Sequence, residues 1–127
     1  MTRVIVGKDC GNSPKNLFLQ QLTIAFAQGG TGFILSSVAE DIRWNLVGER
    51  LVQGKADFAQ ALEQAAKAQV AELTIDHVVT HGKAGAVNGT LTMENGETRA
   101  FCDVYEFTGA KGTIVSEITS YVIETTT

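Results

Sequence analysis

Leu91-Thr92-Met93-Glu94-Asn95-Gly96-Glu97-Thr98-Arg99-Ala100-Phe101-Cys102-Asp103-Val104-Tyr105 is the stretch on which the fold turns. Asn95-Gly96 marks a two-residue hairpin, because a type I′ turn needs positive φ at both centres and these residue types tolerate it. The flanks read with a period of two, which predicts antiparallel strands over 84–94 and 98–108. Before them, Leu73, Ile75, His77 and Val79 alternate with Glu72, Thr74 and Asp76, and His81-Gly82-Lys83 turns that strand into the next. After them, Gly109-Ala110-Lys111-Gly112 turns the chain into a last strand over 113–124, leaving 125–127 as a frayed tail.

Upstream of residue 71 the period is helical. Ser13-Pro14 reads as an N-cap followed by proline at the first helical position, where its missing N–H is not needed. Phe18, Leu22, Ala25 and Phe26 then make one apolar face, and Gly29-Gly30 stops the helix. A shorter helix over 31–39 offers Phe33, Ile34 and Val38, and 41–47 reads as a first strand with a turn or short hairpin over 48–54. The third helix, 55–67, carries Phe58, Ala61, Leu62 and Ala65 inward, and its many alanines suit close packing against a sheet. The expected organisation is an arm over 1–13 and one domain over 14–127. In that α+β domain three N-terminal helices pack into a strongly curved antiparallel sheet of four or five strands. A curled sheet with helices across its concave side leaves a cavity of the kind that holds small molecules.

Composition narrows the function classes. The chain has 127 residues, 44% of them apolar and 19% charged, which suits a globular domain with its own core. The net charge is −4 and the ten Lys and Arg residues are scattered, which argues against nucleic acid as a partner. No apolar run approaches the ~20 residues of a membrane span, and Val4-Ile5-Val6 is too short for a secretory core, so a cytoplasmic location is expected. Cys10 and Cys102 lack metal-ligand spacing and read as reduced thiols, Cys10 in a flexible arm. His77 and His81 share a strand face but stand ~13 Å apart, too far for one ion, and no metal or cofactor is expected. Gly48 to Lys55 has one residue too many for a phosphate-binding loop, and Ala56 stands where Ser or Thr is required.

The element order, Trp44-Asn45 on the first strand, the Gly48…Gly54-Lys55 turn into an alanine-rich helix, and Phe101-Cys102-Asp103-Val104-Tyr105-Glu106-Phe107 before a glycine turn together resemble a SnoaL-like protein. That is a branch of the nuclear transport factor 2-like superfamily, and the resemblance covers residues 14–124. It implies a cone-shaped domain with an interior pocket, and a homodimer formed through the convex face of the sheet. The superfamily holds ketosteroid isomerases, polyketide cyclases, epoxide hydrolases, dehydratases and non-catalytic binding modules, so the resemblance fixes a fold more than an activity. Against the ketosteroid isomerases, Asn45 stands at the general base, which it cannot replace, and Gln21 or a neighbour stands at the first-helix tyrosine. Asp103 matches the protonated aspartate of their oxyanion hole. Against the limonene-type epoxide hydrolases, Asn45 fits loosely and Thr119 falls where the final-strand aspartate belongs.

The candidate wall of the pocket follows. Asp103 lies between Phe101 and Tyr105 on one strand face, and an acid among apolar groups should have a raised pKa, able to orient a ligand or act as an acid. The alternatives are that this face looks outward into the dimer interface, or that the acid is structural, satisfied by Asn45 or Thr119. Glu117, Thr119 and Tyr121 share a face of the last strand that the resemblance puts at the pocket, with Glu117 a base or a solvated rim residue. Trp44 either stacks on a ligand or fills the gap between sheet and third helix. The expected site is therefore Asp103 and Glu117 for chemistry, with Asn45, Trp44, Phe101, Tyr105, Thr119 and Tyr121 as ligand contacts. The expected function is the binding of a small, largely apolar molecule. An isomerase, cyclase or dehydratase, or a protein-interaction module using the exposed sheet, stays open on these residues.

Overall fold

A computed structural model describes residues 2–8 and 10–125; Thr126 and Thr127, part of the expected frayed tail, lie outside it. In chain order the elements are β1 (Arg3–Val6), α1 (Pro14–Gln28), α2 (Thr31–Ser36), β2 (Val38–Leu46), β3 (Arg50–Gln53), α3 (Lys55–Ala65), β4 (Val70–His81), β5 (Ala84–Met93), β6 (Thr98–Phe107) and β7 (Val115–Thr125). The start of α1 is set as its sequence asks. The Ser13 hydroxyl accepts from the Asn16 N–H at 3.1 Å, and Pro14 takes the first turn. Such a cap contributes about 1 kcal/mol. Gly29, at φ 76°, ends the helix in the left-handed region.

One sheet contains all seven strands, in the order β1-β4-β5-β6-β7-β2-β3. The expected meander β4 to β7 is its antiparallel centre, but the sheet is wider than four or five strands. Arg3–Val6 is not a free arm: it runs parallel to β4, with Val4 opposite Leu73 and Val6 opposite Ile75. The second helix ends sooner than its apolar spacing suggests, because the Val115 N–H bonds the Ser37 carbonyl at 2.9 Å and draws the chain into the sheet from Val38 onward. There β2 pairs parallel with β7, while β3 folds back antiparallel onto β2.

The core lies between the concave face and the helices. Leu19 and Leu22 of α1 and Phe58 and Leu62 of α3 meet Ile42, Leu73, Ile75, Val87, Tyr105, Phe107 and Ile118 of the sheet, all of them buried. Cys10 is buried too, its Sγ 3.7 Å from the Asp76 carbonyl, which corrects its placement in a flexible arm. The sheet curls in part because of a bulge. Between Ile75 and His77 the register of β4 on β5 slips, and an extra residue strengthens twist and bends the strand. Gly89 faces that bulge so closely that a Cβ there would sit 1.9 Å from the Thr74 carbonyl oxygen.

Gly89→Ala should therefore cost about 2–3 kcal/mol or more, as overpacking against backbone does, seen as a lower urea midpoint. Gly112→Ala, where a Cβ meets nothing within 4 Å, should stay within about 0.5 kcal/mol of the parent.

Candidate functional site

The alternation that builds the sheet also selects the wall of a cavity. On β6 the inward row is Arg99, Phe101, Asp103 and Tyr105; on β2 it is Ile42, Trp44 and Leu46. Register puts Asp103 beside Ser120 of β7 and Phe101 beside Val122, so the inward row of β7 is Ile118, Ser120 and Val122. Facing this wall are Thr23, Phe26 and Ala27 of α1 and Ala61, Gln64 and Ala65 of α3. They enclose about 420 Å³, within the range of small-molecule sites. The alanines of α3 do not close the gap between helix and sheet; their short side chains leave much of it open.

The expected site residues divide between the two faces of the sheet. Trp44, Phe101 and Asp103 line the cavity, and Tyr105 is buried next to them without reaching it. Asn45 is exposed on the opposite, convex face. Adjacent residues of a strand point to opposite faces, and the apolar series Ile42, Trp44, Leu46 takes the inward one. Glu117, Thr119 and Tyr121 are convex as well. The register of β7 against β6 shifts between Glu106 and Phe107, so the inward series Ile118, Ser120, Val122 is one position out of step with the expected one. Neither Asn45 nor Thr119 is placed to satisfy Asp103. Glu117 instead faces Arg43 of β2, Oε2 to Nε 3.8 Å. Ser120 was missed by the sequence reading. Its signal was the spacing of Val115 and Ile118, which breaks strict alternation and predicts a bulge between them.

Trp44 is both core and wall. Its ring packs against Phe26 and Phe58 at 5.6 and 5.3 Å between centroids, and its Nε1–H donates to the Ser120 Oγ at 2.9 Å. Having accepted that bond, the Ser120 hydroxyl is free to donate toward the Asp103 carboxyl. Burial pushes the Asp103 pKa up to about 6, and the Ser120 hydroxyl pulls it part of the way back. Asp103 as a whole is half-buried, as a residue on the wall of an open cavity should be. The Tyr105 hydroxyl is enclosed near Thr23 and Asp103 and meets no partner at full hydrogen-bonding geometry among the described residues, while Thr23 donates its own proton to the Leu19 carbonyl at 2.8 Å. Burial, then the Asp103 charge, hold the Tyr105 pKa well above a free phenol's. Cys102 points to the convex side, and burial and then Asp103 raise its pKa, so its thiol is a weak nucleophile. Among the described residues no cluster of three His, Cys, Asp or Glu could hold a metal ion, and no helix is long and apolar enough to cross a membrane.

A raised carboxyl pKa ties stability to pH with a definite sign. The unfolded chain releases the Asp103 proton near 3.8 and the folded one only near 6, so its contribution is fully present below about pH 4 and is lost as pH rises through 6. The loss is roughly 2–3 kcal/mol. Urea unfolding over a pH series should show Asp103→Asn stabilised relative to the parent above about pH 7 and indistinguishable from it below about pH 4. Parallel pH profiles for the two proteins would contradict this account of the carboxyl.

Comparison with known proteins agrees with this architecture. The model of the SnoaL-like domain matches residues 19–117. No curated protein matches the chain. Among solved structures, a nuclear transport factor 2-like protein of unknown function from Cytophaga hutchinsonii superposes with a TM-score of 0.68 at 24% identity, over 84% of this chain and 97% of that one. A putative ketosteroid isomerase from Kribbella flavida gives 0.73 at 18% identity, over 89% and 80%. The epoxide hydrolase/cyclase-like enzyme SalBIII, from pyran ring formation in salinomycin, gives 0.73 at 16%, over 89% and 93%. At these identities the structures share a fold and nothing finer. With the family model covering most of the chain, the chain belongs to the SnoaL-like domain family, and its curved sheet has the fold of the nuclear transport factor 2-like protein it superposes on.

Proposed function

We propose that this chain is a binding module for a small, largely apolar molecule held in the cavity between α1, α3 and the concave sheet. The observation that carries the reading is a titratable carboxyl, Asp103, paired with a hydroxyl on a wall whose apolar part is made of Trp44, Leu46, Phe101, Ile118 and Val122. Apolar walls with a few convergent polar groups are what ligand sites are made of: burial supplies affinity and the polar pair fixes orientation. Two free thiols fit a cytoplasmic setting.

A second reading, an isomerase, cyclase or dehydratase, draws on one specific property. With a pKa of about 6, Asp103 is present in both protonation states near neutrality, the condition for a general acid or base. Glu117, on the convex face, has no access to the cavity, so this reading uses Asp103 alone. The two readings part on one variant. Asp103→Asn keeps the shape and removes the proton, so a module retains most of its ligand affinity while an enzyme loses about 10²–10⁴-fold in turnover.

The pairing of two copies through the convex face is supported by its exposed apolar groups. Val79, Val104, Tyr121 and Ile123 lie on that face, Ile123 66% and Val79 59% exposed. Register carries one row across six strands, Val79, Ala86, Val104, Thr119, Asn45 and Leu51. Such a patch rarely stays uncovered.

Two measurements check these readings. A thermal-shift screen of sterols, aromatic polyketides and small acids should find a ligand that, at a hundred times its Kd, stabilises the fold by about 2.7 kcal/mol, and Trp44→Ala should abolish the shift. Light scattering should give twice the monomer mass for the parent and the monomer mass for a Tyr121→Lys, Ile123→Glu double variant. A monomeric parent would rule the paired sheet out.

A further inference from the structure

The inward row of β6 begins with a cation. Arg99 lines the cavity two positions before Phe101 and four before Asp103. One edge of its guanidinium is occupied: Nη2 lies 3.2 Å from Glu97 Oε2. Glu97 is itself held by the hairpin turn, taking a bond from Asn95 Nδ2 at 3.1 Å and donating its backbone N–H to Asn95 Oδ1 at 3.0 Å. Arg99 is thereby fixed at the open end of the cavity. Its Nε is different: that N–H is enclosed and has no partner among the described residues. Native structures leave few such donors without an acceptor, and a donor on a charged group is among the most costly to leave so.

The remaining geometry says what would satisfy it. Four positions of strand span ~13 Å, so Arg99 and Asp103 mark two ends of a slot the length of a ten-carbon chain. Phe101 lies between them, and Leu91 of β5 stands beside Arg99 at its end. The closed end holds Asp103 and Ser120 and disfavours an anion; the open end holds a guanidinium whose fork matches a carboxylate in two bonds. Arg50, the other cation lining the cavity, is exposed on β3 beside Glu49.

We propose that the ligand of this cavity is an elongated apolar carboxylic acid, its carboxylate held by Arg99 at the mouth and its far end, bearing a hydroxyl or carbonyl oxygen, at Asp103 and Ser120. The proposal rests on the cavity being a ligand site, and adds the charge and the direction of its occupant. The carboxylate takes the Nε edge after a small rotation of the side chain and competes with Glu97 for the rest of the fork.

The test uses the full chain with ω-hydroxydecanoate and its methyl ester, followed by calorimetry and by the emission of Trp44, the one tryptophan and a residue of the cavity wall. The acid should bind at least about tenfold tighter than the ester, the scale of a charge-assisted pair. Arg99→Gln should reduce the acid to the level of the ester and leave the ester unchanged. Glu97→Gln, which frees the fork without touching the cavity, should tighten the acid several-fold and not the ester. Equal binding of acid and ester by the parent, or a preference that survives Arg99→Gln but falls with Arg50→Gln, overturns the assignment and leaves the cavity reading standing. Acids and esters of graded chain length that all fail to bind overturn both.

Discussion

The Trp44 indole ties this fold together. It packs between Phe26 of α1 and Phe58 of α3 and donates its N–H to Ser120 of β7, so one side chain joins two helices to the sheet. It can do so only because β2, far upstream in the chain, docks parallel to β7 with Trp44 opposite Ile118 and two residues, one step along the same face, short of Ser120. That pairing carries the sheet past its antiparallel centre and brings β2 and β3 beside the meander. Without it α3 would have no wall to pack on, and the cavity no second side.

The same contact prepares the chemistry of the interior. An N–H that ends on the Ser120 oxygen leaves the serine proton free for the neighbouring carboxyl, and Asp103 is the acid that the last two long strands set beside it. Burial raises the affinity of that carboxyl for a proton while the hydroxyl restrains the rise, and the outcome near 6 is a balance of the two. Space around the carboxyl comes from α1 and α3, whose Ala27, Ala61 and Ala65 stand where larger side chains would have filled the cone. A core packed to ordinary density would hold no cavity of this size.

The two faces of the sheet differ in kind. The concave face is a wall with an acid at its closed end and a guanidinium at its mouth. The convex face is a broad surface with Tyr121, Val104, Val79 and Ile123 uncovered. One row of alternate residues serves each face, so a slip of one position exchanges their roles. That is what separates Thr119 and Tyr121 from Ser120 and Val122.

Much of this was determined by the sequence alone. Ser13-Pro14, Gly29 and Asn95-Gly96 are local signals decided within a few residues, and they placed α1 and the central hairpin, although that hairpin closes over three residues, Glu94-Asn95-Gly96, with the Gly96 N–H on the Met93 carbonyl, and not over the two of a type I′ turn. Period-two alternation from residue 71 placed the meander, and on β6 it put Phe101, Asp103 and Tyr105 on one face because that strand is regular. Tertiary structure decided the rest. The parallel pairings of β1 with β4 and β2 with β7 depend on partners far along the chain, which no local signal specifies. The face of β7 depends on the irregularity where Phe107 meets Val115, and the face of β2 followed its apolar residues, not the resemblance that had put Asn45 inward. Arg99 carries no motif. Its significance comes from what encloses its Nε and what lies four residues along the same face, and both belong to the folded chain.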